Sequence, residues 1–236
     1  VEYAKASPED LVCRITVTNR GPDPAPIHIL PQLWYRNTWS WESGAAAPRI
    51  IAAGPGAART EHPALGERWL SVTSSSGDAP AMLFCENETN DQLLFGVANR
   101  SSTSKDGIND YVVGGDVDAV SRSAGSKVAA HVQATLPAGE SVTVTVRFAP
   151  ADLALPFGDA EEVLALRRGE ADEFYAAVAA PDLTADERLV QRQALAGLLW
   201  CKQFYNYGVR RWLKGDPGQP VPPAQRWTGR NSDWQH

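Results

Sequence analysis

The chain has 236 residues, 43% of them hydrophobic and 21% charged, with a net charge of −6. This composition suits one or two domains with a real core, and the acidic balance argues against nucleic acid or an anionic membrane as partner. The apolar runs are too short to cross a bilayer. Cys13, Cys85 and Cys201 lie far apart in apolar runs without CxxC spacing, which reads as buried thiols of a reducing compartment.

The chain opens on VEYAKAS, which has neither the basic start nor the apolar core of a signal peptide. The other end, GRNSDWQH, stops without a cap or turn. Both ends read as cut, so the expectation is an internal fragment, and the reducing compartment that the cysteines imply is the cytoplasm. Residues 10–150 read as β. Along 11–19, Cys13, Ile15 and Val17 alternate with Arg14, Thr16 and Thr18, the mark of a half-buried strand. GPDPAP turns the chain into a second strand over 26–36, where Pro31 implies an edge or a bulge. Short strands are expected over 68–73, 81–86 and 92–98. A last pair, 127–136 and 141–148, flanks Pro137–Ala138–Gly139–Glu140, with Val142, Val144, Val146 and Phe148 on one face. Such strands imply an antiparallel sandwich. Two long loops, 37–67 and 100–126, interrupt it, and loops of that length are functional or docked elsewhere.

From Pro150 the pattern turns helical. Residues 159–180 form a linker helix with Val163, Leu166, Phe174 and Val178 on its apolar side and a potential break at Gly169. A second helix is expected over 184–207. It opens on the capping box Thr184–Glu187, has acids in its first turn, and is followed by Gly208 as a left-handed cap. Its middle, ALAGLLWC, has no polar face, and a helix apolar all round is buried all round. At about 36 Å it reads as an inner helix of a larger helical body. Residues 209–236 read as mostly irregular, since DPGQPVPP suits neither helix nor central strand. The fold class is therefore mainly β plus α: a sandwich over 1–150, a helical linker over 151–180, and a truncated helical domain over 181–236.

Aromatic residues are the first candidates for chemistry. Trp34, Tyr35, Trp39 and Trp41 lie together, and Trp200, Phe204, Tyr205, Tyr207, Trp212, Trp227 and Trp234 crowd the C-terminal part. Aromatic faces suit the C–H faces of sugars, although most aromatics simply fill cores. That simpler reading fits Trp200 best, and fits Trp39, Trp41 and Trp234 less well because they lie among polar neighbours. The acids of ENETND and DGINDYVVGGDVD read as solvated turns, and neither has the spacing of an EF-hand loop. The four histidines show no HxH or HExxH spacing, and no GxSxG, phosphate-cradling or dinucleotide motif is present. No metal ligands and no cofactor are assigned, and a calcium ion bound in a sandwich loop stays open at this level.

VEYAKASPEDLVCRITVTNRGPDPAPIHILPQLWYRNTWSWE, KDGINDYVVGG, ADEFYA, LVQRQALAGLLWCKQFYNY and GRNSDWQH together resemble bacterial members of glycoside hydrolase family 63. This family includes processing glucosidase I and related α-glycosidases such as mannosylglycerate hydrolase-like enzymes. The resemblance runs collinearly over nearly the whole chain. It implies an N-terminal β-sandwich, a linker and the first helix of an (α/α)6 barrel whose remainder is missing here. It further implies an inverting hydrolase of terminal sugars, acting on an oligosaccharide or small glycoside. Such an enzyme uses an Asp acid and a Glu base that flank a water, about 6.5–9.5 Å apart. The motif carrying the acid should follow GRNSDWQH, so no catalytic residue is assigned in this chain. By the same resemblance, Asn231, Trp234 and His236 approach the cleft, and Trp39 and Trp41 lie on a sandwich loop facing the barrel. Two other readings stay open at this level. One is a non-catalytic carbohydrate-binding or docking sandwich; the other is an interaction module without sugar affinity.

Overall fold

A computed structural model of the chain describes residues 1–39, 45–201, 207–216 and 220–235. It divides into two compact units, Val1–Asn37 with Ala47–Arg167, and Thr38–Ala46 with Arg168–His236. The division falls inside the linker helix, and Thr38–Ala46 groups with the C-terminal residues although the sequence suggested that it belonged with the sandwich.

The first unit is built from antiparallel strands: β1 (Glu2–Ser7), β2 (Asp10–Thr18), β3 (Ala25–Ile29), β4 (Gln32–Trp34), β5 (Arg49–Gly54), β6 (Ala57–His62), β7 (Gly66–Ser74), β8 (Ala81–Cys85), β9 (Ala124–Gly125), β10 (Lys127–Leu136) and β11 (Ser141–Ala149). Seven form one sheet in the order β1-β2-β11-β7-β6-β5-β9. In the second sheet β10 is central, with β8 along one edge and β3 and β4 in succession along the other. These two sheets with flanking helices agree with the expected mainly-β sandwich plus helices. Pro31 separates β3 from β4, and its carbonyl still accepts from Ala130 N–H at 2.9 Å. A residue that cannot donate is tolerated at a sheet edge for this reason.

The strands 127–136 and 141–148, expected as a pair, do not pair with each other. β10 pairs with β3, β4 and β8, whereas β11 pairs with β2 and β7. The turn between them is a corner from one sheet to the other. Asn19 clamps it, accepting from Gly139 N–H and donating to the Glu140 carbonyl, each at 2.9 Å.

The long loops also contain structure. Residues 37–67 include the β5–β6 hairpin, in which Ile50, Ala58 and Thr60 turn inward and Gly56 supplies the left-handed turn residue at φ 63°. Residues 100–126 include helix α2 (Gly107–Gly114), a 3-10 turn at Val117–Ala119, and β9. Residues 92–98, expected as a strand, instead begin as the short helix α1 (Asp91–Phe95). The Asn90 side chain caps it by accepting from Leu93 N–H at 3.1 Å, and Gly96 ends it in the left-handed conformation. Here local capping outweighs the apolar run.

Helices cover both outer faces of this unit. The start of helix α3 (Ala160–Val178) lays Ala160 and Leu164 on Ala4 and Val12 of the larger sheet, helped by Phe157 and Val163. Ion pairs fix it there. Arg14 bonds both Glu2 (2.6 Å) and Glu161 (2.7 Å). Arg147 forks onto Asp10 (2.6 Å) and also donates to Asp159 and the Pro156 carbonyl. This explains why β11 departs from the expected alternation: Val142 and Val144 are buried on one face, and Arg147 and Ala149 are buried on the other, under the segment leading into α3. On the second sheet, α2 packs Ile108, with Tyr111 and Val112, against Leu83, Cys85 and Ala129.

In the second unit α3 continues unbroken through Gly169, since one glycine costs only about 1 kcal/mol in a helix. Helix α4 (Ala185–Cys201) starts with the expected capping box. Glu187 accepts from Thr184 N–H and from its hydroxyl, each at 2.8 Å, and Glu187 N–H donates to Thr184 Oγ1. Those bonds, the backbone one foremost, hold the Glu187 carboxyl below its ordinary range. Among the described residues nothing covers the apolar middle of α4. No residue of α4 is buried, and Leu198, Leu199 and Trp200 are 71, 66 and 72% exposed. Trp200 is therefore not a core residue of this chain, and Cys201 is exposed while Cys13 and Cys85 are buried. Sequence reveals that a helix has no polar face, but not whether the layer that would cover it is part of the same chain. Residues 202–206 of the expected helix lie outside the described residues. Gly208 is no left-handed cap; with φ −75° and ψ 91° it precedes helix α5 (Val209–Lys214).

Candidate functional site

Of the residues singled out for sugar contact, the described ones, Trp39, Asn231 and Trp234, fall in the second unit. Helix α5 is anchored by Val209 and Leu213, which are 8 and 1% exposed. This leaves Trp212 half-exposed and tilted against Tyr207, with ring centroids 6.2 Å apart. After Gly215, whose φ of 78° favours glycine, Pro222 packs so closely that a side chain there would collide with it. The returning chain forms a 3-10 turn, Ala224–Thr228, and brings Arg226 over the Trp212 ring at 4.6 Å; its Nη1 also donates to the Trp212 carbonyl at 2.8 Å. A cation on an aromatic face helps hold the ring, contributing about 0.5–1 kcal/mol.

Asn231 adopts φ 66°, a conformation that asparagine tolerates better than most residues. Its carbonyl accepts from Trp234 N–H at 3.1 Å. The resulting turn leaves Trp234 66% and Trp227 48% exposed. Trp39, in contrast, is 8% exposed and offers no free face. Trp41 and His236 lie outside the described residues. Trp227 and Trp234 are thus partly open indoles, whereas the Trp212 ring is covered on one face by the Arg226 guanidinium. Such a surface can stack on sugar rings and hydrogen-bond their hydroxyls. Trp212 and Trp227 were noted in sequence only as part of an aromatic crowd; the left-handed Asn231 and the two-turn geometry were not legible there.

A concavity of about 310 Å³ lies between α3 and α4 and is lined by Tyr175, Ala176, Leu189 and the ion pair Asp172–Arg192. Arg192 spans Tyr175 at 5.0 Å from its centroid. Its neighbour Arg188 is spent on the Leu183 and Pro181 carbonyls. These groups satisfy one another and join the two helices.

The acidic clusters of the sandwich serve turns. Burial works to raise the Asp106 carboxyl, but bonds from Ser104 (2.7 Å) and Asn90 (2.9 Å) outweigh it and hold the group below its ordinary range. Glu86 accepts from Ser126 at 2.5 Å, and Asp116 caps the 3-10 turn through Asp118 N–H. Among the described residues no three His, Cys, Asp or Glu side chains converge as metal ligands, and no helix is long and apolar enough to cross a membrane. Sequence reasoning missed one cluster altogether: His28 and His131, 103 positions apart, meet on the outer face of the second sheet. Spacing rules see only neighbours along the chain, and this pair is made by the β3–β10 register.

No family model matches the chain. It is 32% identical over 267 aligned positions to the "Uncharacterized protein YMR196W" of Saccharomyces cerevisiae, an alignment covering 98% of this chain and 24% of the yeast protein. The chain therefore spans about a quarter of that relative's length. Among solved structures, the "Polysaccharide Lyase BACCELL_00875" aligns over 63% of this chain and 19% of its own, at 12% identity and a TM-score of 0.37. That likeness is too remote to bear on fold or chemistry.

Proposed function

We propose that the chain is part of an inverting α-glycosidase of the family 63 type. Its sandwich and first barrel helix would present aromatic side chains to an oligosaccharide or small glycoside. The catalytic Asp and Glu would lie on other parts of the polypeptide, and none is assigned here. The observation that carries this reading is α4. A helix with Leu198, Leu199 and Trp200 open to water leaves apolar surface that further helices would cover, as the first helix of an (α/α)6 barrel requires. The yeast relative, with about three quarters of its length outside the match, has room for such a body. The sequence resemblance and the open indoles of Trp227 and Trp234 support the choice of sugar as ligand. No organic cofactor is needed, because the reaction is acid–base chemistry at a sugar carbon. A non-catalytic binding sandwich with Trp39 and Trp41 as its platform is the weaker reading, because Trp39 is 8% exposed and such a module has no use for α4.

Trp234→Ala, made in a polypeptide that includes the barrel, is expected to raise KM for an α-glucoside about five- to tenfold, the value of one aromatic stacking contact. Unchanged KM and kcat would remove Trp234 from the substrate's path.

A further inference from the structure

The histidine pair on the outer face of the second sheet is not used by the proposed sugar chemistry. His28 stands on edge strand β3 and His131 on central strand β10. His28 Nδ1 and His131 Nε2 are 2.8 Å apart, with the rings inclined by only 16°. Such a contact needs one ring to donate N–H and the other to offer a lone pair, so at least one imidazole is neutral. A second proton would turn the bond into two opposed N–H groups.

The surroundings offer little relief for that second charge. His131 is 7% exposed and borders the apolar layer of Leu83, Ala129 and Ile108 beneath α2. From α2, Tyr111 meets it edge-on with centroids 6.0 Å apart. Arg122, from the segment between the 3-10 turn and β9, lies over Tyr111 at 4.7 Å and donates to its hydroxyl at 2.7 Å. β8 opposes His131 with Ala81, which carries no charge. β10 itself adds Gln133, 3.5 Å from His28. Asp110, beside Tyr111, is turned to Asn109 at 3.4 Å. The charged groups acting on His131 are therefore His28 and Arg122, both of its own sign, and burial with these two holds it below its ordinary value of 6.5. The unfolded chain thus takes up this proton first. The stability is present above about pH 6.5 and is lost as pH falls toward the folded value.

We propose that His28 and His131 form a proton-operated latch, which holds β3 and α2 on β10 near neutral pH and releases them in acid. β3 is suited to release. It ends its sheet, and its ladder to β10 spans only Ala25–Ile29. The larger sheet has no part in the pair and stays closed. Arg122 adds a third positive charge in acid, so α2 loosens through Tyr111 together with the strand.

The test is amide hydrogen exchange of the full chain between pH 7.5 and 5.5, corrected for intrinsic rates, together with imidazole nitrogen shifts. The expected result is at least a tenfold loss of protection at Ile27, Ile29 and the α2 amides, with β2 and β11 unchanged. In His28→Gln, at an exposed position, the pH dependence should shrink to the part that burial and Arg122 impose on His131, and in His131→Gln it should fall under twofold. An equal loss in His28→Gln, or no loss in the unaltered chain, would overturn the latch. So would one equivalent of zinc shifting both imidazoles at micromolar concentration, which would make the pair a ligand set.

Discussion

Replacing Arg147 with methionine is expected to lower the unfolding free energy by about 3 kcal/mol, the most damaging single charge removal in the sandwich unit. Arg147 is 5% exposed and lies on β11, an interior strand of the larger sheet. Its guanidinium bonds Asp10 from β2, Asp159 before α3, and the Pro156 carbonyl. One side chain thereby joins sheet and helix. Methionine fills much of the volume but leaves Asp10, whose side chain is 14% exposed, as a buried charge without a partner. Asp159 is 49% exposed and can return to water. The cost should therefore come mainly from Asp10, and adding Asp10→Asn to the methionine variant should recover about 1–2 kcal/mol. Urea titrations of the single and double variants measure both. The acid limb provides a further check. Arg147 holds the Asp159 carboxyl below its ordinary range, so the linked stability is present above that range and lost as pH falls through the depressed value. In the methionine variant this acid dependence should weaken.

Gly125→Ala should cost a comparable amount, about 3 kcal/mol, for a steric reason. The segment 121–125 links the edges of the two sheets: Ser121 bridges to Phe84 on β8, while Ala124 and Gly125 pair with β5. At the crossing, the Gly125 backbone passes so close to that of Cys85 that a Cβ would collide with the Cys85 carbonyl. Backbone cannot rotate aside as a long side chain can. The variant must either part β9 from β5 or displace β8, whose Leu83, Phe84 and Cys85 are fully buried. Thermal unfolding of Gly125→Ala beside Gly114→Ala, where a Cβ meets nothing, separates this close approach from the general effect of losing a glycine.

What the sequence revealed and what it hid follow one rule. Local signals were legible: strand β2, the Pro31 interruption, and the Thr184–Glu187 box all appear, although β2 is buried on both faces at Val12 and Cys13 and not on one alone. Signals that depend on a partner were not. The β10–β11 corner looks like a hairpin because a tight turn is silent about which sheet each arm joins. Residues 49–62 look like loop because alanine and glycine carry little strand preference, yet pairing with β7 and β9 makes them strands. α4 reads as buried because its composition reports what it needs rather than what this chain supplies. The candidate sugar surface was legible as aromatic residues only. That Trp39 is enclosed while Trp234 is open depends on tertiary packing, as does the meeting of His28 with His131.

The most direct test of the glycosidase reading is the stereochemistry of sugar release by a polypeptide that includes this chain and the helical body proposed to follow it. Proton NMR of an α-glucoside digest should show the β-anomer forming first and then mutarotating, as two carboxylates flanking a water dictate. First release of the α-anomer, or no hydrolysis across a panel of α-glucosides and α-mannosides by the folded protein, would contradict it.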